Sequence, residues 1–184
     1  MRQVLVIVGC PVMLIVMSLL VTTAAQGASI GVNGDDVYLN GGIGPRDDRA
    51  FIATISNNAG VKRVVLDYSE GGNIEVSIAI ADRIRTWGLS THVVTKCASA
   101  CVLIWAAGKP RTLSEHALLG VHCAHLEPFN ECDAEGTKEA IEYLKEVRAP
   151  EGLIRLIESA GPFMVWVSPE DLREATPPNQ GRPP

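Results

Sequence analysis

The sequence lacks any run of basic residues and any internal repeat. Its 184 residues carry 16 Lys and Arg against 21 Asp and Glu, for a formal net charge of −5. Because nucleic acids are bound largely through clustered Lys and Arg, this balance argues against a nucleic-acid partner. The chain length and the composition, 47% hydrophobic and 20% charged, favour one globular domain with a substantial core.

Only one long apolar stretch stands out, and it lies near the N-terminus. Arg2 precedes the stretch Val4–Val21, and the small residues of TTAAQGAS follow it. This pattern predicts a bacterial-type secretory signal over residues 1–27, cleaved after Ala25 or Gly27, and a periplasmic or secreted protein. An uncleaved inner-membrane anchor that leaves the protein facing the periplasm is the alternative, because 18 residues reach the lower limit for spanning a bilayer.

Export bears on the five cysteines. Cys10 leaves with the signal, and the remaining four are an even number in an oxidising compartment, which favours disulfides over free thiols. Three pairings are open from the sequence. The local solution, Cys97 with Cys101 and Cys123 with Cys132, is the first expectation.

A zinc site is the alternative to the second of these bridges. His122, Cys123, His125 and Cys132 are four potential ligands close together in the sequence, but their spacing matches no standard zinc pattern. We therefore expect disulfides, and neither a metal nor a cofactor.

Strand and helix patterns alternate along the rest of the chain. Short β-branched runs such as RVVLDY (63–68) predict buried strands, and apolar stripes at helical spacing lie between them, as at Asn73–Trp87. Such βαβ units build an α/β fold with a mostly parallel sheet covered by helices. We expect one domain over residues 28–175, followed by a disordered proline-rich tail at 176–184.

Three loops that follow predicted strands carry groups suited to nucleophilic catalysis. Loops at the carboxyl ends of parallel strands are where such sheets place their active groups. Ser99 offers a hydroxyl, His122 offers a base that titrates near neutral pH, and the glycines of SEGG (69–72) let a backbone N–H approach a substrate carbonyl. The Ala100 N–H, at the start of a predicted helix, is a second donor for an oxyanion.

The segment Leu66–His122 resembles the Clp protease proteolytic subunit of the Clp/crotonase superfamily. That family shows a strand ending in a Ser-Pro-Gly-Gly turn, a helix, a strand, Ala-Ser before a buried helix that ends in Ala-Ala-Gly, and a strand ending in His. The same features occur here in the same order and at similar spacing. The signal segment and the Ser-Ala-Cys elbow resemble a smaller group of exported Clp-like proteins.

This resemblance implies a Clp/crotonase-like fold of repeated ββα and βαβ units. It also implies that Ser99 is the nucleophile, that His122 is the base, and that the N–H groups of Gly71 and Ala100 form the oxyanion hole. The protein is then expected to be a serine peptidase that takes a peptide or protein substrate and assembles into a homo-oligomer.

The sequence departs from the family pattern at the third member of the triad. The family places an aspartate just before a Phe-hydrophobic-Ser-x-x-Glu segment, and Met164 stands at that place in FMVWVSPEDLREA. Asp171, in the following predicted helix, is a possible third member only if the backbone shifts. Loss of the orienting carboxylate costs roughly 10⁴-fold in kcat in serine proteases. Glu70 also replaces the turn proline and brings a negative charge beside the proposed oxyanion hole.

Simpler interpretations exist for each of these residues. Ser99 can serve only as the N-cap of the following helix, Gly71 and Gly72 only as a tight turn, and His122 only as a strand-end histidine. Lys96 raises a serine–lysine dyad like that of the signal-peptide peptidases of the same superfamily. The main alternative to a hydrolase is a weakly active or inactive Clp-like module that binds peptides or partner proteins in the same cleft, and a membrane-anchored oligomeric scaffold is the third.

Overall fold

The computed structural model describes residues 27–125 and 131–174. The predicted signal segment up to residue 26 and the predicted tail at 176–184 lie outside the described residues. Within those two ranges, no helix is long and apolar enough to cross a membrane.

Seven strands form one sheet, and two very short strands pair beside it. The order in the sheet is β1-β2-β4-β6-β8-β9, with β7 paired to β6, while β3 pairs with β5. The strands are β1 (Ser29–Asn33), β2 (Asp36–Asn40), β3 (Gly42–Ile43), β4 (Arg63–Ser69), β5 (Gly71–Gly72), β6 (Ser90–Ala98), β7 (Arg111–Leu113), β8 (Leu118–Val121) and β9 (Val165–Val167).

The middle of the sheet is parallel and its two edges are antiparallel. Strands β2, β4, β6, β7 and β8 pair in parallel, whereas β1 pairs with β2 and β9 pairs with β8 in the antiparallel sense. The predicted mostly parallel sheet is therefore confirmed. The antiparallel edges do not follow from the alternation of strand and helix patterns.

Six helices accompany the sheet in the described residues. They are α1 (Asp47–Ser56), α2 (Ile74–Thr86), α3 (Cys101–Ala107), α4 (Ala134–Glu146), α5 (Glu151–Ser159) and α6 (Pro169–Glu174). The start of α2 is fixed by Asn73, whose side chain accepts the Val76 N–H at 2.8 Å. The start of α4 is fixed in the same way by Asp133, which accepts the N–H groups of Glu135 and Gly136.

One hydrophobic core joins the sheet to the helices. Every residue of α3 is buried, as its wholly apolar sequence predicts. Burial of one such large apolar side chain contributes about 1.5–3 kcal/mol to folding. The largest fully buried side chains come from β2, β4, β6, β8 and helices α1 to α5: Val37, Leu39, Phe51, Val64, Leu66, Ile80, Ile84, Val93, Ile104, Leu119, Leu144 and Leu153.

The end of α3 packs directly against the backbone of β6. A Cβ atom on Gly108 would lie 2.5 Å from the backbone nitrogen of Thr91. Thr91 cannot yield easily, because it is fully buried and its hydroxyl donates to the Trp105 carbonyl at 2.7 Å. A residue without a side chain is therefore needed after α3.

We expect Gly108→Ala to lower the free energy of unfolding by about 1–3 kcal/mol, because the added methyl group overpacks the core. Gly60→Ala is the matched control, since a Cβ at that glycine meets nothing within 4 Å. Urea unfolding with both disulfides intact measures the two values. Equal losses in the two variants would contradict this account of the α3–β6 contact.

Candidate active site

Ser99 lies at a sharp turn between a strand and a helix. Ala98 is the last residue of β6 and Cys101 is the first of α3. The φ angle of Ser99 is +53°, in the left-handed region that non-glycine residues seldom adopt. Holding a residue there costs about 1–3 kcal/mol, so the surrounding structure must impose the turn.

The N-cap interpretation of Ser99 is wrong. The N-cap position of α3 is Ala100, and no side chain caps the helix. The Ser99 hydroxyl has no hydrogen-bond partner among the described residues. A half-buried serine in a costly conformation, with its hydroxyl unpaired at a strand-to-helix turn, is typical of a nucleophile elbow.

Two bonds hold this elbow in place. A disulfide joins Cys97 in β6 to Cys101 in α3, and both cysteines are fully buried. The Ser99 N–H donates to the Gly120 carbonyl of β8 at 2.8 Å. The elbow is therefore fastened to its own strand, to its helix and to the neighbouring strand.

The glycine turn after β4 lies against the elbow. A Cβ on Gly71 would lie 2.5 Å from the Ala98 oxygen, 2.7 Å from the Ser99 Cβ and 2.8 Å from the Ala100 nitrogen. The two proposed oxyanion donors, Gly71 and Ala100, are thus neighbours in space. In this conformation the Gly71 N–H donates to the Ser69 hydroxyl at 3.2 Å.

His122 follows β8 directly and lines the same cleft as Ser99. Because Ala98 of β6 pairs with Gly120 of β8, Ser99 and His122 lie at the carboxyl ends of two neighbouring parallel strands. No hydrogen bond joins their side chains in the described conformation. The cleft holds a cavity of about 30 Å³, room for about two water molecules. Its apolar walls include Ile74, Val102, Leu103, Leu144 and Ile157.

One neighbouring carbonyl sets the tautomer of His122. The Nδ1 atom lies 2.6 Å from the Cys123 oxygen. Because a carbonyl only accepts hydrogen bonds, Nδ1 carries the proton and Nε2 keeps the lone pair that a base needs. Burial lowers the pKa of His122 below its usual value, the Cys123 carbonyl opposes that shift, and the nearby His125 adds to it. The two imidazole rings lie 4.8 Å apart.

Asp171 does not share the cleft of Ser99 and His122. Its carboxylate accepts the Ser168 hydroxyl at 2.7 Å and the Ser168 N–H at 2.8 Å, which fixes the start of α6. These hydrogen bonds lower the pKa of Asp171. The side chain lines a different groove, together with Arg155 and Trp166. In this conformation the Asp171 carboxylate is hydrogen-bonded to Ser168 and makes no hydrogen bond to His122.

Met164 directly precedes β9, which pairs with β8 from Leu119–Val167 to Val121–Val165. Its sulfur packs over Gly120, 2.6 Å from where a Cβ on that glycine would stand. Among the described residues no carboxylate takes part in a hydrogen bond with His122.

Two further residues that the sequence singled out lie elsewhere. Glu70 is exposed, and its carboxylate lies beside Gly42 of β3. The ammonium group of Lys96 lies 5.2 Å above the ring of Trp166, and Lys96 is absent from the described lining of the Ser99 cleft. This arrangement disfavours a serine–lysine dyad.

The second disulfide joins Cys123 to Cys132. The local pairing of the four cysteines is thus the one that the structure contains. Since both sulfurs of the proposed zinc site are bonded to each other, the zinc alternative is wrong. In the two described ranges, no group of three His, Cys, Asp or Glu side chains could hold a metal ion.

Sequence position alone did not reveal which atoms would surround His122. Neither the Cys123 carbonyl nor Thr137, which also lines the cleft, belongs to a recognisable motif. The carbonyl is a backbone group that every residue has, and the fold alone brings the Thr137 hydroxyl to this cleft, so neither leaves a pattern in the sequence.

Comparison with known proteins shows the fold. No protein-family model and no curated protein matches the sequence. Among solved structures, the chain is similar to the 1510-N membrane-bound stomatin-specific protease, solved as a serine-to-alanine mutant. The TM-score is 0.55 and the identity 14%, over 75% of this chain and 73% of that chain. The protein thus shares the fold of that structure, a Clp/crotonase-like fold with the predicted α/β architecture of a mostly parallel sheet flanked by helices.

We expect Gly71→Ala to lower the free energy of unfolding by about 1–3 kcal/mol more than Gly41→Ala does. Both glycines have left-handed φ angles, +88° and +93°, so the two variants share the backbone strain. Only the methyl group at Gly71 would meet the Ser99 elbow, because a Cβ on Gly41 meets nothing within 4 Å. Urea unfolding measures the free energy of unfolding of both variants. Equal losses would show that the contact between Gly71 and the Ser99 elbow does not exclude a side chain at position 71.

Proposed function

We propose that the protein is an exported serine hydrolase of the Clp type, a peptidase, with Ser99 as nucleophile and His122 as base. The observation that carries the proposal is the elbow itself: Ser99 is held at a φ of +53° with an unpaired hydroxyl, in one cleft with His122. A purely structural serine has no need of a conformation that costs about 1–3 kcal/mol.

The proposed reaction has two stages. Ser99 Oγ attacks the carbonyl carbon of a peptide bond while Nε2 of His122 takes its proton, and the N–H groups of Gly71 and Ala100 hold the oxyanion. His122 then returns the proton to the leaving amine, and water hydrolyses the acyl-enzyme by the same steps. The Gly71 N–H exchanges its bond to the Ser69 hydroxyl for a bond to the oxyanion. Charge-assisted hydrogen bonds are roughly twice as strong as neutral ones, which favours this exchange.

The proposal includes export and assembly. Two disulfides support an oxidising compartment, since such bonds persist mainly outside the cytosol. We propose a periplasmic or secreted protein, with membrane attachment through residues 4–21 if the signal is not cleaved. Exposed apolar side chains on and beside the edge strand β9, including Phe163, Val165 and Trp166, support a homo-oligomer that acts on a peptide or protein substrate.

A second function is favoured by a specific observation. Among the described residues no carboxylate is hydrogen-bonded to His122, and the Gly71 N–H is engaged within its own turn. Both features suit a Clp-like module that binds peptides or partner proteins in the cleft without cleaving them. Reaction of Ser99 with a phosphonylating reagent, which forms a serine–phosphorus bond and releases fluoride, distinguishes the two functions.

A fluorophosphonate probe is expected to label Ser99 in the folded, disulfide-intact protein, detected by mass spectrometry of the modified peptide. Labelling should disappear in Ser99→Ala and slow by about 10²–10⁴-fold in His122→Ala, because the general base is lost. Ser114→Ala is the matched control, since Ser114 Oγ lies 3.1 Å from Nε2 of His92 but not at an elbow. Absence of labelling in the folded wild-type protein would overturn the hydrolase and leave the binding module.

The labelling rate is expected to rise with pH and to reach its plateau with a midpoint below 6.5, the ordinary pKa of histidine. His122 accepts a proton only when neutral, and burial lowers its pKa, so the base stays available at pH values where a solvated histidine is protonated. His125→Gln should move the midpoint upward, because the electrostatic influence of His125 contributes to the lowered pKa of His122. A midpoint at or above 6.5 in the wild-type protein would contradict the buried base.

A further inference from the structure

We propose that Thr137 is a positioning residue that acts through the Cys123–Ala124 peptide. By holding that peptide it keeps the proton of His122 on Nδ1, and it thereby replaces the orienting carboxylate that β9 does not supply. The role rests on the proposed function, since only a reacting Ser99 needs an oriented base.

The link from Thr137 to His122 runs through one planar unit. The Ala124 N–H donates to Thr137 Oγ1 at 2.9 Å. The carbonyl of the same peptide unit belongs to Cys123 and accepts from Nδ1 of His122 at 2.6 Å. A trans peptide points its N–H and its C=O in opposite directions. Fixing the N–H on Thr137 therefore aims the carbonyl at the imidazole.

The hydroxyl of Thr137 is itself held in one orientation. It donates its only proton to the Asp133 carbonyl at 2.6 Å, in the first turn of α4. With that proton used, Oγ1 can only accept toward Ala124, which is the direction the peptide requires. The same turn is fixed by the Asp133 side chain, which caps α4. The first turn of α4, and not strand β6 or β8, therefore holds the hydroxyl that positions the peptide next to His122.

Neighbouring bonds hold the same segment on its other sides. The Cys123 N–H donates to the Gly161 carbonyl at 3.0 Å, and the Ala124 carbonyl accepts the Asp133 N–H at 2.7 Å. The disulfide from Cys123 to Cys132 further restrains the residue whose carbonyl contacts His122. A carbonyl held in this way cannot turn away from the imidazole without breaking several bonds.

His125 shares this carbonyl but at a longer distance. Its Nδ1 lies 3.4 Å from the Cys123 oxygen, against 2.6 Å for Nδ1 of His122. Hydrogen bonds weaken as the distance grows past about 3.2 Å, so the carbonyl acts mainly on His122.

The Cys123 carbonyl can perform only part of what the aspartate of a complete triad does for its histidine. An aspartate fixes the tautomer, orients the ring and stabilises the imidazolium with a full negative charge. A carbonyl supplies the first two and only a partial charge. His122 then carries its proton on Nδ1, as a base needs, but its imidazolium form is less well stabilised. We therefore expect catalysis weaker than that of a complete triad, without the loss that a proton on Nε2 would cause.

Long-range ¹H–¹⁵N correlation of the imidazole nitrogens tests the link in the full-length ¹⁵N-labelled protein with both disulfides intact. Spectra are taken above the pKa of His122, with His122→Gln to assign its signals among the four histidines. We expect the wild-type ring to carry its proton on Nδ1. Thr137→Val removes the hydroxyl at nearly constant shape and should produce a mixture with the Nε2–H form, whereas Thr137→Ser should restore the Nδ1–H form.

The rate of Ser99 labelling provides the second readout. It should fall by about tenfold to a hundredfold in Thr137→Val, the scale expected when a reacting group loses its alignment, and should recover in Thr137→Ser. An Nε2–H ring in the wild-type protein would overturn the proposal without need of any variant. So would an unchanged Nδ1–H ring in folded Thr137→Val. A tautomer that follows Thr137 in a protein whose Ser99 never reacts would support the link and overturn the hydrolase instead.

Discussion

The hydrogen bond from the Ser99 amide to the Gly120 carbonyl couples the two strands that carry the proposed nucleophile and base. It extends the β6–β8 ladder by one bond, at the point where β6 turns into α3. Two residues beyond Gly120, His122 directly follows the last residue of β8. The relative placement of Ser99 and His122 therefore depends on backbone pairing between parallel strands, which is far stiffer than contact between two side chains.

The elbow is stabilised by close packing around an unfavourable backbone conformation. Ser99 adopts a left-handed φ because Cys97 is fixed in the strand, Cys101 is fixed in the helix, and a buried disulfide joins them. Gly71 lies so close that no side chain fits between its turn and the elbow. The wholly buried α3 holds the far side. Strain of about 1–3 kcal/mol at one residue is small beside the burial of an entire helix.

The surroundings of the proposed base differ from those of a complete triad because no carboxylate among the described residues is hydrogen-bonded to His122. Met164, just before β9, packs its sulfur over Gly120, while Asp171 lies beyond the strand and stabilises α6. The space beside the imidazole is taken by a main-chain carbonyl whose orientation depends on Thr137. The carbonyl oxygen carries a partial negative charge where an aspartate would carry a full one, but it keeps the proton of His122 on Nδ1 as an aspartate would.

The sequence by itself determined the α/β class, the order of the site segments between Leu66 and His122, the pairing of neighbouring cysteines as first expectation, and the burial of α3. These features depend on local patterns of apolar residues, glycines and cysteines, which act within a few residues of the chain. The antiparallel edges, the φ of Ser99, the separation of Asp171 from His122 and the alignment of the Cys123 carbonyl were decided only by the tertiary structure. Each depends on contacts that the fold makes between different segments, such as the Ala124 N–H with the Thr137 hydroxyl or β8 with β9. Backbone N–H and C=O groups belong to almost every residue type, so the sequence does not mark which of them pair, nor which N–H the Thr137 hydroxyl will accept.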